Sequence, residues 1–259
     1  MRGGGSAVLV IRGEPGIGKT ALLHYCLRQA AGCQAPRWRV RRPSTFRGDV
    51  SYRTPNVSDP EYVAGMSDLA IKELTAETFD DFAALVERNG GMFAHCWCTW
   101  FHPDCAEKEQ RSTRRALKQR LVADGIAHAA LVYDGDRAVA WAEYGSPEEL
   151  PNIHHRKEYV ATAERLPDYR VTCILVERSF RGQGLAAIAL RGAVELIAQA
   201  GGGLVEGYPH DTGGVRQKNS SFLYNGTRTM YEREVFSYDR PKGQGNCVMV
   251  REVAPSTRK

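Results

Sequence analysis

The chain is short of several things that would fix its class at once. It has no long hydrophobic run: nowhere do about 18 apolar residues follow one another, the minimum for a membrane-spanning helix. Before the first glycine loop the N-terminus offers only the apolar stretch Ala7 to Ile11, too short for the core of a secretory signal. Proline (12) and glycine (26) are too few in 259 residues for a collagen-like or low-complexity chain. Seven cysteines, an odd number without small-domain spacing, do not make a disulfide framework, and reduced thiols in the cytoplasm are expected. What remains, 42% hydrophobic and 25% charged residues, is ordinary for a folded globular protein.

The net charge of +5 is unevenly spread. Residues 1–65 hold ten Lys/Arg against four Asp/Glu, whereas the rest is nearly balanced, at 25 against 26. A nucleic-acid partner would have to rest on the first quarter alone, and none is expected. That quarter divides further. Residues 1–33 read as strand, glycine loop and helix. Residues 34–65 combine four prolines with six arginines and show no apolar periodicity, which predicts a disordered linker. A patterned region opens at Met66 and runs to about Val253.

Within that region the period alternates between strand and helix. Strands are expected over 69–74, 129–133, 138–144, 169–176 and 204–208, with two more near 236–238 and 246–253. Helices are expected over 78–88, 104–123, 185–200 and 221–234. Asp134-Gly135-Asp136 is a hairpin signal, and Gly201-Gly202-Gly203 ends the third helix. Residues 147–166 carry no assignable pattern.

Two glycine loops bear on chemistry. Gly13-Glu14-Pro15-Gly16-Ile17-Gly18-Lys19-Thr20 is a full G-x-x-x-x-G-K-T phosphate loop, with Lys19 for terminal phosphates and Thr20 for Mg²⁺. It resembles the opening of the ATP-binding domain of large LuxR-type regulators, over about 33 residues. One strand and one helix cannot bury their own apolar faces, and no Asp-ended strand follows before Met66. An orphan fragment is the expectation, and an ATP-binding regulator the remote alternative.

The second loop is Arg181-Gly182-Gln183-Gly184-Leu185-Ala186, between a strand and a helix. Unpaired N–H groups at a helix N-terminus, two glycines and one arginine make a place for a phosphate or pyrophosphate. The longer run Ile174 to Ala186 resembles motif A of the GNAT superfamily of N-acetyltransferases, with Arg178 where the superfamily often has proline. The resemblance covers Met66 to about Val253. It implies a mixed α/β fold with a central, mostly antiparallel, splayed sheet flanked by helices, residues 66–259 forming that domain. It also implies acetyl-CoA as co-substrate: the backbone of Ile174 and Val176 would hold the pantetheine arm, and the loop amides of Gly182 to Ala186 the pyrophosphate. The acceptor implied is a primary amine of a small molecule or peptide, acetylated by direct attack in a ternary complex. A non-catalytic acyl-CoA sensor is the alternative, and a homodimer is allowed.

Tyr231-Glu232-Arg233-Glu234-Val235-Phe236 resembles the superfamily's Y-x-x-x-G-F, whose tyrosine protonates the departing thiolate. Val235 stands in the glycine's place, and a packed tyrosine is the equal alternative for Tyr231. Glu143 is the candidate base on the strand 138–144, against a solvated strand face or a water relay. His95, Cys96, Cys98, His102 and Cys105 invite a metal reading, but C-x-C without a second ligand pair argues for none. Trp97, Trp100 and Phe101 among them read as core anchors, and this segment resembles one that borders the acceptor pocket in a bacterial GNAT subgroup. Ile153-His154-His155-Arg156-Lys157 reads as a solvated loop, with contact to the CoA phosphates as the alternative.

Overall fold

The computed structural model describes residues 69–103, 111–211 and 224–256. The glycine loop 13–20, the linker 34–65, and the starts of the helices expected at 104 and 221 lie outside them.

Seven strands form one sheet in the order β1-β2-β3-β4-β5-β7-β6. They are β1 (Leu69–Glu73), β2 (His128–Asp134), β3 (Arg137–Gly145), β4 (Tyr169–Val176), β5 (Gly203–Gly207), β6 (Ser237–Lys242) and β7 (Asn246–Val253). Every pairing is antiparallel except β4–β5. The architecture is thus mixed α/β with a mostly antiparallel sheet, as expected. β2 and β3 are buried on both faces, which is why they read as continuous apolar runs.

Helices cover both faces. On one lie α1 (Phe79–Asn89), α2 (Gly91–Cys96) and α3 (Arg111–Ala123). α1 opens with Asp80 and Asp81 and closes with Arg88, each charge matched to the helix dipole. Its Phe82 ring sits 4.9 Å from that of Trp141 and 6.2 Å from that of Trp97, so Trp97 is the core anchor the sequence suggested. On the opposite face lies α5 (Leu185–Gln199). It can approach because Gly192 has no side chain: a Cβ there would stand 2.9 Å from Ile71.

The sequence left 147–166 unassigned. α4 (Arg156–Thr162) lies there, burying Tyr159. His154 to Lys157 are exposed, as expected of a solvated run, but not all loop: His155 precedes α4 in a left-handed conformation and Arg156 and Lys157 open the helix.

The helix expected over 221–234 is shorter within the described residues. α6 spans Arg228–Arg233, because Gly226 adopts φ +72° and Thr227 caps the helix through its side chain, which accepts from Met230 N–H. It ends as a Schellman motif: Val235 N–H bonds to Glu232 C=O, Phe236 N–H to Tyr231 C=O, and the Tyr231 and Phe236 rings meet edge to face. Val235 occupies the left-handed position at φ +63°, with its side chain exposed. The geometry a glycine would serve is kept, at the strain of a β-branched residue in that region. Val235→Gly should raise unfolding free energy by about 1 kcal/mol, read as a higher urea midpoint with unchanged slope. A lower midpoint would mean that the Val235 side chain contributes more than its backbone costs.

Candidate active site

β4 is eight residues long, yet it pairs with β5 at only three: Tyr169–Val205, Arg170–Glu206 and Val171–Gly207. From Thr172 onward the two strands part. On the other side the β3–β4 register shifts between Glu143 and Tyr144, leaving Thr172 as the extra residue of a bulge. Ile174 and Val176 turn their peptide groups to the parted side. Val176 C=O accepts from Arg181 Nε at 3.2 Å. Ile174 N–H donates to Tyr224 C=O at 2.5 Å, so the segment entering α6 spans the gap there. That donor, expected to be open, is occupied.

Beyond Val176 a 3₁₀ turn (Arg178–Phe180) leads into the glycine loop. Gly182 (φ +80°) and Gly184 (φ +82°) both adopt left-handed backbone, and Gly184 is the N-cap of α5. The first-turn amides of Leu185 and Ala186 have no intrahelical acceptor, by the geometry of a helix start. A cavity of about 320 Å³ lies between this turn and α6. Val176, Arg181, Gly182, Gly184, Leu185 and Ala186, six of the eight residues singled out from sequence, line it. Ile174 and Gln183 do not; Gln183 Nε2 instead donates to Ser179 C=O. The opposite wall was not read from sequence: Thr227, Thr229, Met230 and Arg233 come from α6 and its cap. Arg181 and Arg233 give both walls positive charge, reinforcing the positive end of α5.

Carboxylates stake these walls. Glu177, at the end of β4, accepts from Arg88 Nε at 3.3 Å, from Arg137, and from Ser179 Oγ at 3.2 Å. Glu234 takes Arg191 of α5 in two bonds, at 3.0 and 2.8 Å, and so ties α6 to α5.

Tyr231 is wholly buried and does not line the cavity. Its ring passes β5 at Gly207, where a Cβ would lie 2.1 Å from Cε1 and 2.7 Å from the hydroxyl. That glycine is the one signal in the sequence for the ring's position. The hydroxyl has no hydrogen-bond partner among the described residues. Burial pushes its pKa far above the usual phenol value, with Cys247 and Cys173 adding to the shift, so it stays a proton donor.

Glu143 is not on a solvated strand face; it is 1% exposed. Its carboxylate accepts from Lys118 Nζ of α3 at 2.7 Å and from Thr172 Oγ1 at 2.8 Å, with His102 Nε2 at 3.6 Å. Burial drives its pKa up, but Lys118 and His102 more than reverse this and hold it below the ordinary carboxylate range. Glu143 therefore stays ionised and is a weak base. Its contribution to stability is present above the ordinary carboxylate pKa and is lost as pH falls through the lowered value. Glu143→Ala leaves the buried Lys118 ammonium uncompensated and should cost about 3–5 kcal/mol in urea unfolding. The double variant Lys118→Met/Glu143→Leu should recover most of that loss; equal losses in both would locate the cost in packing.

Near the parted strands, Trp100 stacks on His154 (4.3 Å), and Phe101 and Tyr224 lie beside them. Asn152 bonds the carbonyls of Trp100 and His102, joining the two loops. Across the same sheet face, Glu206 accepts from Tyr159 and Tyr208 at 2.7 and 2.9 Å, close to Arg240. Lys242, buried near Arg170, has its pKa lowered to about 8, by burial first. Among the described residues no group of three or more His, Cys, Asp and Glu is arranged to hold a metal ion, and no helix is long and apolar enough to cross a membrane.

No protein-family model matches the chain, and no curated protein matches it in sequence. Similar solved structures include a GNAT-family acetyltransferase from Streptococcus pneumoniae, 10% identical over 72% of this chain and 99% of that one, with a TM-score of 0.40. An acetyltransferase from Thermus thermophilus is 15% identical over 71% of this chain and 96% of its own, with a TM-score of 0.40. The PaiA N-acetyltransferase from Thermoplasma acidophilum, solved with coenzyme A, is 12% identical over 71% and 98%, with a TM-score of 0.39.

Proposed function

We propose that the chain is an acetyl-CoA-dependent N-acetyltransferase of the GNAT type, with residues 66–259 as the catalytic domain. The observation that carries this reading is the parting of β4 from β5 beside a glycine-capped helix start, with a cavity between that start and α6. A thioester of a nucleotide needs both halves of that arrangement. Its pyrophosphate fits the amides of the α5 first turn, with Arg181 and Arg233 on either side. Its amide-bearing arm fits the edge of β4 once Arg181 Nε releases Val176 C=O and Tyr224 C=O releases Ile174 N–H.

The acceptor in this reading is a primary amine of a small molecule or peptide. It attacks the thioester carbonyl directly, both substrates being held at the parted strands. The amine must first lose a proton. Glu143, ionised and sealed in its ion pair, serves by fixing Thr172 and the β4 bulge, and water carries the proton. Tyr231 is the donor to the departing thiolate, kept protonated by burial. Its hydroxyl has no hydrogen-bond partner among the described residues and in this reading donates to the sulfur.

Two variants test the reading. Gly184→Val puts a β-branched residue at φ +82° where phosphate must approach, and acetyl-CoA affinity by calorimetry should collapse. Tyr231→Phe should lower kcat by roughly 10- to 1000-fold while acetyl-CoA affinity barely changes, because the ring still packs. Unchanged affinity in the first would remove the phosphate site, and full kcat in the second would leave Tyr231 a packing residue.

A further inference from the structure

The strongest unassigned chemistry is a cluster of sulfur beside the parted strands. Cys98, in the turn after α2, and Cys173, on β4, are 75 residues apart, with their Sγ atoms 3.1 Å from each other. Both are buried and both are free thiols. The turn that delivers Cys98 is unusual: Trp97 and Cys98 adopt φ +50° and +49°, two successive left-handed residues without a glycine. A third thiol braces it, since Cys98 N–H donates to Cys96 Sγ at 3.2 Å. Cys96 is only partly buried. Cys173 lies between Thr172, held by Glu143, and Ile174, whose N–H faces the parted side.

We propose that Cys98 and Cys173 form an oxidative modification site, a dithiol that closes to a disulfide under peroxide and so constrains β4 at the parted strands. The chemistry balances with hydrogen peroxide as oxidant. The Cys173 thiolate attacks one peroxide oxygen, giving a sulfenic acid and hydroxide; the Cys98 sulfur then attacks the sulfenyl sulfur and displaces water. Two thiols and one peroxide become one disulfide and two waters. The order follows from the hydrogen bond, in which Cys98 S–H points at the Cys173 sulfur. That bond pulls the Cys173 pKa down, while burial and the Glu143 carboxylate push it up and prevail. Reaction is therefore slow and selects a small oxidant over a bulky disulfide. Closure brings the sulfurs from 3.1 Å to about 2.05 Å, within side-chain rotation and a small shift of the turn.

The test uses the full chain, reduced, freed of reductant and treated with hydrogen peroxide. Intact mass should fall by about 2 Da, and peptide maps should show Cys98 joined to Cys173, reversed by dithiothreitol. Cys247, buried elsewhere, should still take an alkylating agent after unfolding. Cys98→Ser and Cys173→Ser should each abolish the cross-link, and Cys96→Ser should retain it. A Cys96–Cys98 bond instead, or oxidation to sulfinic acid without a cross-link, overturns the proposal. This readout needs no acetyl transfer, so it stands or falls apart from the proposed activity. The functional half rests on that activity: cross-linked chain should turn over at least about 10-fold more slowly, recovering on reduction. An unchanged rate in fully cross-linked chain overturns the claim that the bond acts on the site.

Discussion

Three parallel residue pairs, Tyr169–Val205 to Val171–Gly207, hold the two halves of this sheet together. Everything else of consequence follows from their being only three. A longer ladder would close the sheet and leave no edge. A shorter one would let β5, β7 and β6 drift from the core formed by β1 to β4. The bulge at Thr172 on one side and Gly207 on the other set where pairing stops. Beyond that point β4 needs partners for its open-side peptide groups, because unpaired backbone in a dry interior is costly. Tyr224 and Arg181 supply them. Both come from segments that also border the cavity, so the strand edge and the cavity are parts of one arrangement.

The charges divide by task. Glu177 and Glu234 sit under the cavity walls and draw arginines from neighbouring elements, so they fix the glycine loop and α6 without entering the cavity. Glu143 and Lys118 lie deep behind β4. A buried pair of that kind adds little net stability over an apolar pair, but punishes any change to one member. Its effect is to hold Thr172, and through it the bulge, in one arrangement. Tyr231 is different again. Its fully buried hydroxyl has no partner among the described residues, which is uncommon.

The glycine loop was legible because backbone demands it: positive φ at positions 182 and 184 needs glycine, and a helix must start after a strand. The apolar strands and α5 were legible from period and burial. What stayed hidden was long-range or unpatterned. Nothing local to Glu143 announces Lys118, 25 residues earlier on a helix across the sheet face. α4 is short, polar and exposed except at Tyr159, so it leaves no stripe. β6 carries Pro241 and charged residues on a sheet edge, and was read as half its length. Asn225-Gly226-Thr227 did carry a stop and a cap that would have moved the start of α6; the apolar residues before them outweighed that signal. Val235 holds a left-handed conformation that glycine would adopt without strain.

Amide hydrogen exchange of the full chain, with and without saturating acetyl-CoA, tests most directly whether the parted strands and the glycine loop are one binding site. Protection should appear together in peptides covering 174–187 and 224–233, and little elsewhere on the sheet. Protection confined to residues 1–33, or none in either region at saturating ligand, would contradict the account.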